Sequence, residues 1–199
     1  MRIREIRRYL ISVLAVAAVL AVSAVMLAGC SKSSGAEAAV TEDLESMRFV
    51  EIDPETEAEL ENVLSDRGME YFEMFLGKAG EFDYEITGAD AKGDEAIVHV
   101  RIKTYDFATE YLKSWTEFLD STGRGGEEDA AEYDTALLYE TLFKNLSSIQ
   151  DKNYTADADI ICTRDEEGGW TTDAKSNSVL KNAILGGMIR EISSLAGLE

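Results

Sequence analysis

Phe82-Asp83-Tyr84-Glu85-Ile86-Thr87 and Ala96-Ile97-Val98-His99-Val100-Arg101-Ile102-Lys103 decide the fold class of this chain. Both runs alternate apolar and polar residues, the period-2 signature of a strand with one face buried. Ala89 to Asp94, with Gly93, supplies turn residues between them, so the pair reads as a hairpin. Asn153–Thr163 repeats the pattern, with Ala156, Ala158, Ile160 and Cys162 on one face and Thr155, Asp157 and Asp159 on the other. After a turn ending in Gly168-Gly169, Trp170–Asp173 makes a short fourth strand.

Helical spacing fills the remaining segments. Asp53-Pro54-Glu55 is a helix start, with Asp as N-cap and Pro in the first turn. Leu60, Val63, Leu64, Tyr71, Phe72 and Phe75 then recur at helical intervals, predicting one helix over 54–76 that stops at Gly77. Asp106 caps a second helix whose stripe is Ala108, Tyr111, Leu112, Trp115, Phe118 and Leu119. A third spans about 131–149, with Leu138, Leu142, Leu146 and Ile149 inward. Ser176 or Asn177 caps a last one carrying Val179, Leu180, Ala183 and Ile184, weakened by Gly186-Gly187. Helix, hairpin, helix, helix, hairpin, helix is the order of an α+β domain, helices covering one face of an antiparallel sheet.

Ahead of this domain stands a segment of another kind. Arg2, Arg4, Arg7 and Arg8 precede an uncharged apolar run from Tyr9 to Leu27, and Leu27-Ala28-Gly29-Cys30 closes it. That order resembles the lipobox of bacterial lipoproteins at all four positions. The resemblance implies cleavage between Gly29 and Cys30, a diacylglycerol thioether on Cys30, and acylation of the new amino terminus. Two or three acyl chains anchor a protein stably where one does not. The same nineteen apolar residues would also cross a bilayer uncleaved. Both readings put residues 31–199 outside the cytoplasm and attach the chain to the cell membrane. The expected organisation is a signal peptide over 1–29, a lipidated cysteine and flexible Ser/Ala/Gly/Glu-rich tether over 30–48, and one α+β domain over 49–199.

Taking four basic residues and one acid away with residues 1–29 leaves 15 Lys+Arg against 38 Asp+Glu, a balance of −23. A chain so acidic lacks the basic footprint that nucleic acid requires, and it gains nothing from anionic headgroups. Solubility at a crowded surface accounts for the charge. With Cys30 committed to lipid, Cys162 stands alone, and no internal disulfide forms.

The two hairpins, Phe82–Tyr105 and Tyr154–Asp173 with its Trp170, and the closing Leu180–Gly187 segment resemble small Firmicutes lipoproteins of unknown function. Their domains are similar to the nuclear-transport-factor-like or cystatin-like cone, a curved antiparallel sheet of four or more strands wrapped around helices. The resemblance implies a cone-like fold over about residues 50–190. Enzymes of that cone place Asp, His or Tyr on the inner sheet face. Here the inner positions are Phe82, Tyr84, Ile86, Ala96, Val98, Val100, Ile102, Ala156, Ala158, Ile160 and Cys162, which offer no carboxylate and no imidazole and only Tyr84 as a polar tip, so no catalytic residue is carried over and no cofactor is expected.

Three constellations remain. His99, Arg101 and Lys103 face Asp83, Glu85, Asp157 and Asp159 across neighbouring strands, which reads as register-setting charge pairs on a solvated face or as a docking surface. Glu127, Glu128, Asp129, Glu132 and Asp134 form a Gly-flanked acidic loop without calcium-loop spacing, and no metal site is assigned. Phe72, Tyr84, Tyr111, Trp115 and Trp170 could line an apolar pocket at the open end of the cone. The expected function is a non-catalytic binding or protein-interaction domain with an envelope protein as partner. The alternative is a carrier or sensor of a small hydrophobic ligand, and an enzyme ranks third.

Overall fold

A computed structural model describes residues 33–49, 52–121, 135–195 and 197. Among these residues lie seven helices and four strands. In chain order they are α1 (Ser34–Ser46), α2 (Pro54–Val63), α3 (Asp66–Ala79), β1 (Asp83–Lys92), β2 (Glu95–Thr104), α4 (Phe107–Ser121), α5 (Thr135–Ser148), β3 (Tyr154–Arg164), β4 (Trp170–Thr172), α6 (Ser178–Ile184) and α7 (Met188–Leu195). The strands form an open antiparallel sheet in the order β1-β2-β3-β4. The class is α+β with helices packed on the sheet, as the alternation predicts. No helix of the described residues is long and apolar enough to cross a membrane.

The registers follow from the period-2 pattern. Val98 pairs with Ile160, Val100 with Ala158 and Ala96 with Cys162, and all six are buried. A bulge between Ile86 and Gly88 shifts β1 by one residue, which lets Ala89 as well as Ile86 turn toward the core. Strand β1 therefore continues to Lys92, beyond the Ala89 where the sequence pattern fades. The turn narrows to Gly93-Asp94, with Gly93 at φ +67°.

The expected tether is corrected by α1. Ala36, Val40 and Leu44, spaced i, i+4, i+8, are fully buried against the inner sheet face together with Leu180, Ala183 and Ile184 of α6. Burying a Val and a Leu side chain stabilises by about 1.5–3 kcal/mol each. Polar contacts fix the helix along its length. Thr172 donates to Asp43 at 2.6 Å, and Lys175 pairs with Asp43 at 3.1 Å. Tyr84 donates to Glu45 at 2.8 Å. Arg48, just past the helix, donates to the Phe82 carbonyl at 2.6 Å and lies 4.8 Å from the centre of the Phe82 ring. The compact unit begins at Gly35 rather than at residue 49.

The expected helix over 54–76 is two helices. Leu64 turns extended, and Ser65 restarts the chain as an N-cap accepting from the Gly68 amide at 3.0 Å. Helix α3 runs past Gly77 to Ala79. The caps read from sequence are present elsewhere: Asp53 accepts from the Glu55 and Thr56 amides, Asp106 from the Thr109 amide, and Asn177 from the Leu180 amide.

A second core joins α3 and α5 to the chain just after β2. Phe75, Ala79, Tyr105, Phe107, Leu142 and Leu146 are buried there. Phe75 meets Phe107 edge-on at 5.3 Å, and Phe72 meets Phe143 at 4.9 Å. The Tyr105 hydroxyl donates to Glu81, and burial is the first cause that pushes it up to about 12. Gly186 holds φ +53° against this core, where a Cβ would come within 2.0 Å of the Tyr105 carbonyl oxygen.

Candidate functional site

The inner sheet face is filled. Val98, Val100, Ile102, Ile160 and Cys162 lie under α1 and α6 with at most 1% of their surface exposed. Among the described residues the five aromatic pocket candidates do not converge. Tyr84 and Trp170 pack at the rim of the sheet core, Phe72 and Tyr111 pack in the helical core, and Trp115 is half-buried on α4. This is a correction: the sequence shows these five side chains, but not that the fold places two at the sheet core, two at the helical core and Trp115 in neither.

The outer sheet face carries the charge ladder. His99 is set opposite Asp159, and its two ring nitrogens lie 2.7 Å from Asp159 and 3.3 Å from Asp90. Those hydrogen bonds, Asp159 first, raise the imidazole above its ordinary value. Arg101 reaches Asp157 at 2.8 Å. Asp83 lies opposite Lys103 in register but takes its ion pair from Lys152 at 3.0 Å. The face also exposes a paired Ile97 and Ile161. These are solvated cross-strand pairs that set the register, and they present no nucleophile to an activated base.

Cys162 is fully buried. Burial first, then Asp173 and Asp43, pushes its thiol up to about 11. A thiol so desolvated is unreactive. No cluster of metal-binding side chains exists among the described residues. Cys30 and the acidic loop from Glu127 to Asp134 lie outside them.

What the sequence does not reveal is the surface around α2. No residue of this helix is buried. On one side a groove of about 250 Å³ opens between α2 and α5, lined by Thr56, Glu59, Leu60, Val63, Leu64, Tyr139 and Phe143. On the other, a wider cleft of about 500 Å³ is lined by Arg48, Phe49, Ile52, Glu57, Glu73, Leu76 and Gly77. Val63 is 43% exposed and Phe49 is 80% exposed. The periodicity of Leu60, Val63 and Leu64 looks like that of a core helix. Of the three only Leu64 is buried, because the chain turns extended at that residue. The helix meanwhile presents Glu55, Glu57, Glu59 and Glu61 to solvent. Chemically, the surface offers an apolar floor of two aromatic rings and aliphatic side chains beneath an acidic rim.

No family model matches the chain, and no curated protein matches it. A solved structure named "putative lipoprotein (ycdA)", from Bacillus subtilis subsp. subtilis str. 168, is similar over 68% of this chain, at 14% identity and a TM-score of 0.35. The chain spans 42% of the length of that protein. A likeness of this degree carries no argument about fold or activity.

Proposed function

We propose that this chain is a lipid-anchored, extracytoplasmic docking domain without catalytic activity. Cys30 carries the anchor, and the groove between α2 and α5 receives an apolar, basic segment of another envelope protein. The observation that carries the reading is the groove itself, where Leu60, Val63, Tyr139 and Phe143 line a cavity open to solvent beside a helix bearing four exposed glutamates. Charge complementarity steers and selects a partner, and a half-buried aromatic floor supplies the contact energy. The lipobox resemblance at Leu27-Ala28-Gly29-Cys30 supports the location. The filled inner sheet face speaks against a carrier of a small apolar ligand inside a cone.

The test is site-specific photo-crosslinking in the native envelope. A photoreactive residue at position 63 should yield a discrete protein adduct whose cross-linked peptide is apolar and basic. The same residue at position 171, on the outer sheet face, should not. Val63→Asp should abolish binding of that peptide without moving the thermal midpoint. Equal adducts at both positions would overturn the reading, as would a small lipophile recovered in place of a protein.

A further inference from the structure

The start of α1 and the α2 groove lie at different ends of the folded unit, and few residues separate Cys30 from that start. Three residues separate Cys30 from Ser34, where α1 begins. Four Cα steps reach roughly 14 Å at full extension. Helix α1 then runs 13 residues, about 20 Å, and is built into the sheet by Ala36, Val40 and Leu44.

The two ends of α1 have different surroundings. At its start, a Cβ on Gly35 would come within 2.7 Å of the Trp170 ring nitrogen, so the helix begins against β4. Trp170 pairs with Arg164, and the Arg164 amide donates to the Asp94 carbonyl at 2.7 Å. The Gly93-Asp94 turn and the Asp165–Gly169 turn therefore share this end of the sheet. At the far end of α1, Arg48 donates to the Gly80 and Phe82 carbonyls, where α3 hands over to β1 and the helical core begins.

We infer that the membrane-anchored domain stands on its hairpin turns, with Gly93-Asp94 and Asp165–Gly169 next to the bilayer and α2, α3 and α5 pointing away from it. The inference rests on the proposed lipid anchor at Cys30. Asp94, Glu95, Asp165, Glu166 and Glu167 crowd the near end and gain nothing from anionic headgroups. It is the short covalent link that holds this end down. The α2 groove is thereby carried outward, away from the bilayer. A partner must present its docking segment there, and membrane lipid is not the occupant of the groove.

The experiment uses the full lipidated protein in phosphatidylcholine/phosphatidylglycerol vesicles containing a headgroup-labelled acceptor lipid. A donor dye is placed by Glu166→Cys or by Glu61→Cys, the buried Cys162 remaining unlabelled. Mass spectrometry first establishes whether Cys30 is acylated. With an acylated Cys30, energy transfer should be several-fold higher from position 166 than from position 61. A fifteen-residue Gly/Ser insertion between Cys30 and Ser34 should shrink that difference. Equal or reversed transfer on an acylated protein would overturn the orientation alone. A difference that survives the insertion would overturn the short link as its cause. A chain without acyl groups would overturn the anchor, and the orientation with it.

Discussion

The carbonyl oxygen of Arg48 occupies the space a side chain on Gly80 would need: a Cβ there would lie 2.2 Å from it. Gly80 has an ordinary right-handed backbone, φ −73°, so the constraint is close approach and not conformation. The contact welds the end of α1 to the junction of α3 and β1. Gly80→Ala must push two backbone segments apart, and overpacking of this kind costs about 1–3 kcal/mol. Urea denaturation should show a lower midpoint with an unchanged slope.

If α1 is part of the fold, its core face must carry stability. Leu44→Ala removes a fully buried side chain from the sheet core and should cost about 2–5 kcal/mol. Removing residues 31–46 should leave the inner face of β2 and β3 uncovered and the product aggregated. A shortened chain that melted cooperatively at the parent temperature would show that α1 is dispensable, as the tether reading expects.

That reading failed for a physical reason. Ala36, Val40 and Leu44 fall one per turn among Ser, Gly, Thr and acidic residues, a stripe too narrow to outweigh its polar surroundings. The sheet was legible because its alternation spans ten-residue strands, in which one slip would flip every side chain. The outer charge ladder followed from the same registers. The break at Ser65 was signalled by a Ser-Asp pair suited to an N-cap, but continuous apolar spacing masked it. The α2 groove was not legible, because periodicity shows which residues share a face and not whether another element covers that face.

Helix α2 should open independently of the core. Asp53 accepts hydrogen bonds from the Glu55 and Thr56 amides and from the Thr56 hydroxyl. The Thr56 contacts are the main cause holding its carboxyl below the ordinary value. The cap is complete above the ordinary carboxylate range and is lost as pH falls through that lowered value. Asp53→Ala should speed amide hydrogen exchange across residues 56–63 and leave the global unfolding midpoint unmoved, because α2 buries none of its residues.

His99 gives the outer face a pH dependence of fixed sign. Its folded value is raised by Asp159 and then Asp90, so its stabilising contribution is full below the unfolded value of about 6.5. That contribution fades as pH rises through the higher folded value. Asp159→Asn should move the imidazole titration, followed by NMR, back toward its ordinary value. The same variant should flatten the stability difference between pH 6 and pH 8. The ring is partly exposed, so added salt should weaken the effect.

Cys162 should report unfolding and nothing else. Its thiol is pushed up to about 11 from about 9, so at pH 8 roughly a thousandth of it is thiolate, and none of its surface is accessible. A thiol reagent at pH 8 should leave Cys162 of the folded protein unmodified. Labelling should begin only as denaturant populates the open state, tracking the fluorescence transition of Trp115 and Trp170. Above about pH 9 the unfolded chain gains a thiolate that the folded chain refuses. Stability should therefore fall as pH climbs from there toward 11, and Cys162→Ala should remove that component of the decline. Rapid stoichiometric labelling under native conditions would instead place Cys162 at an accessible, activated site.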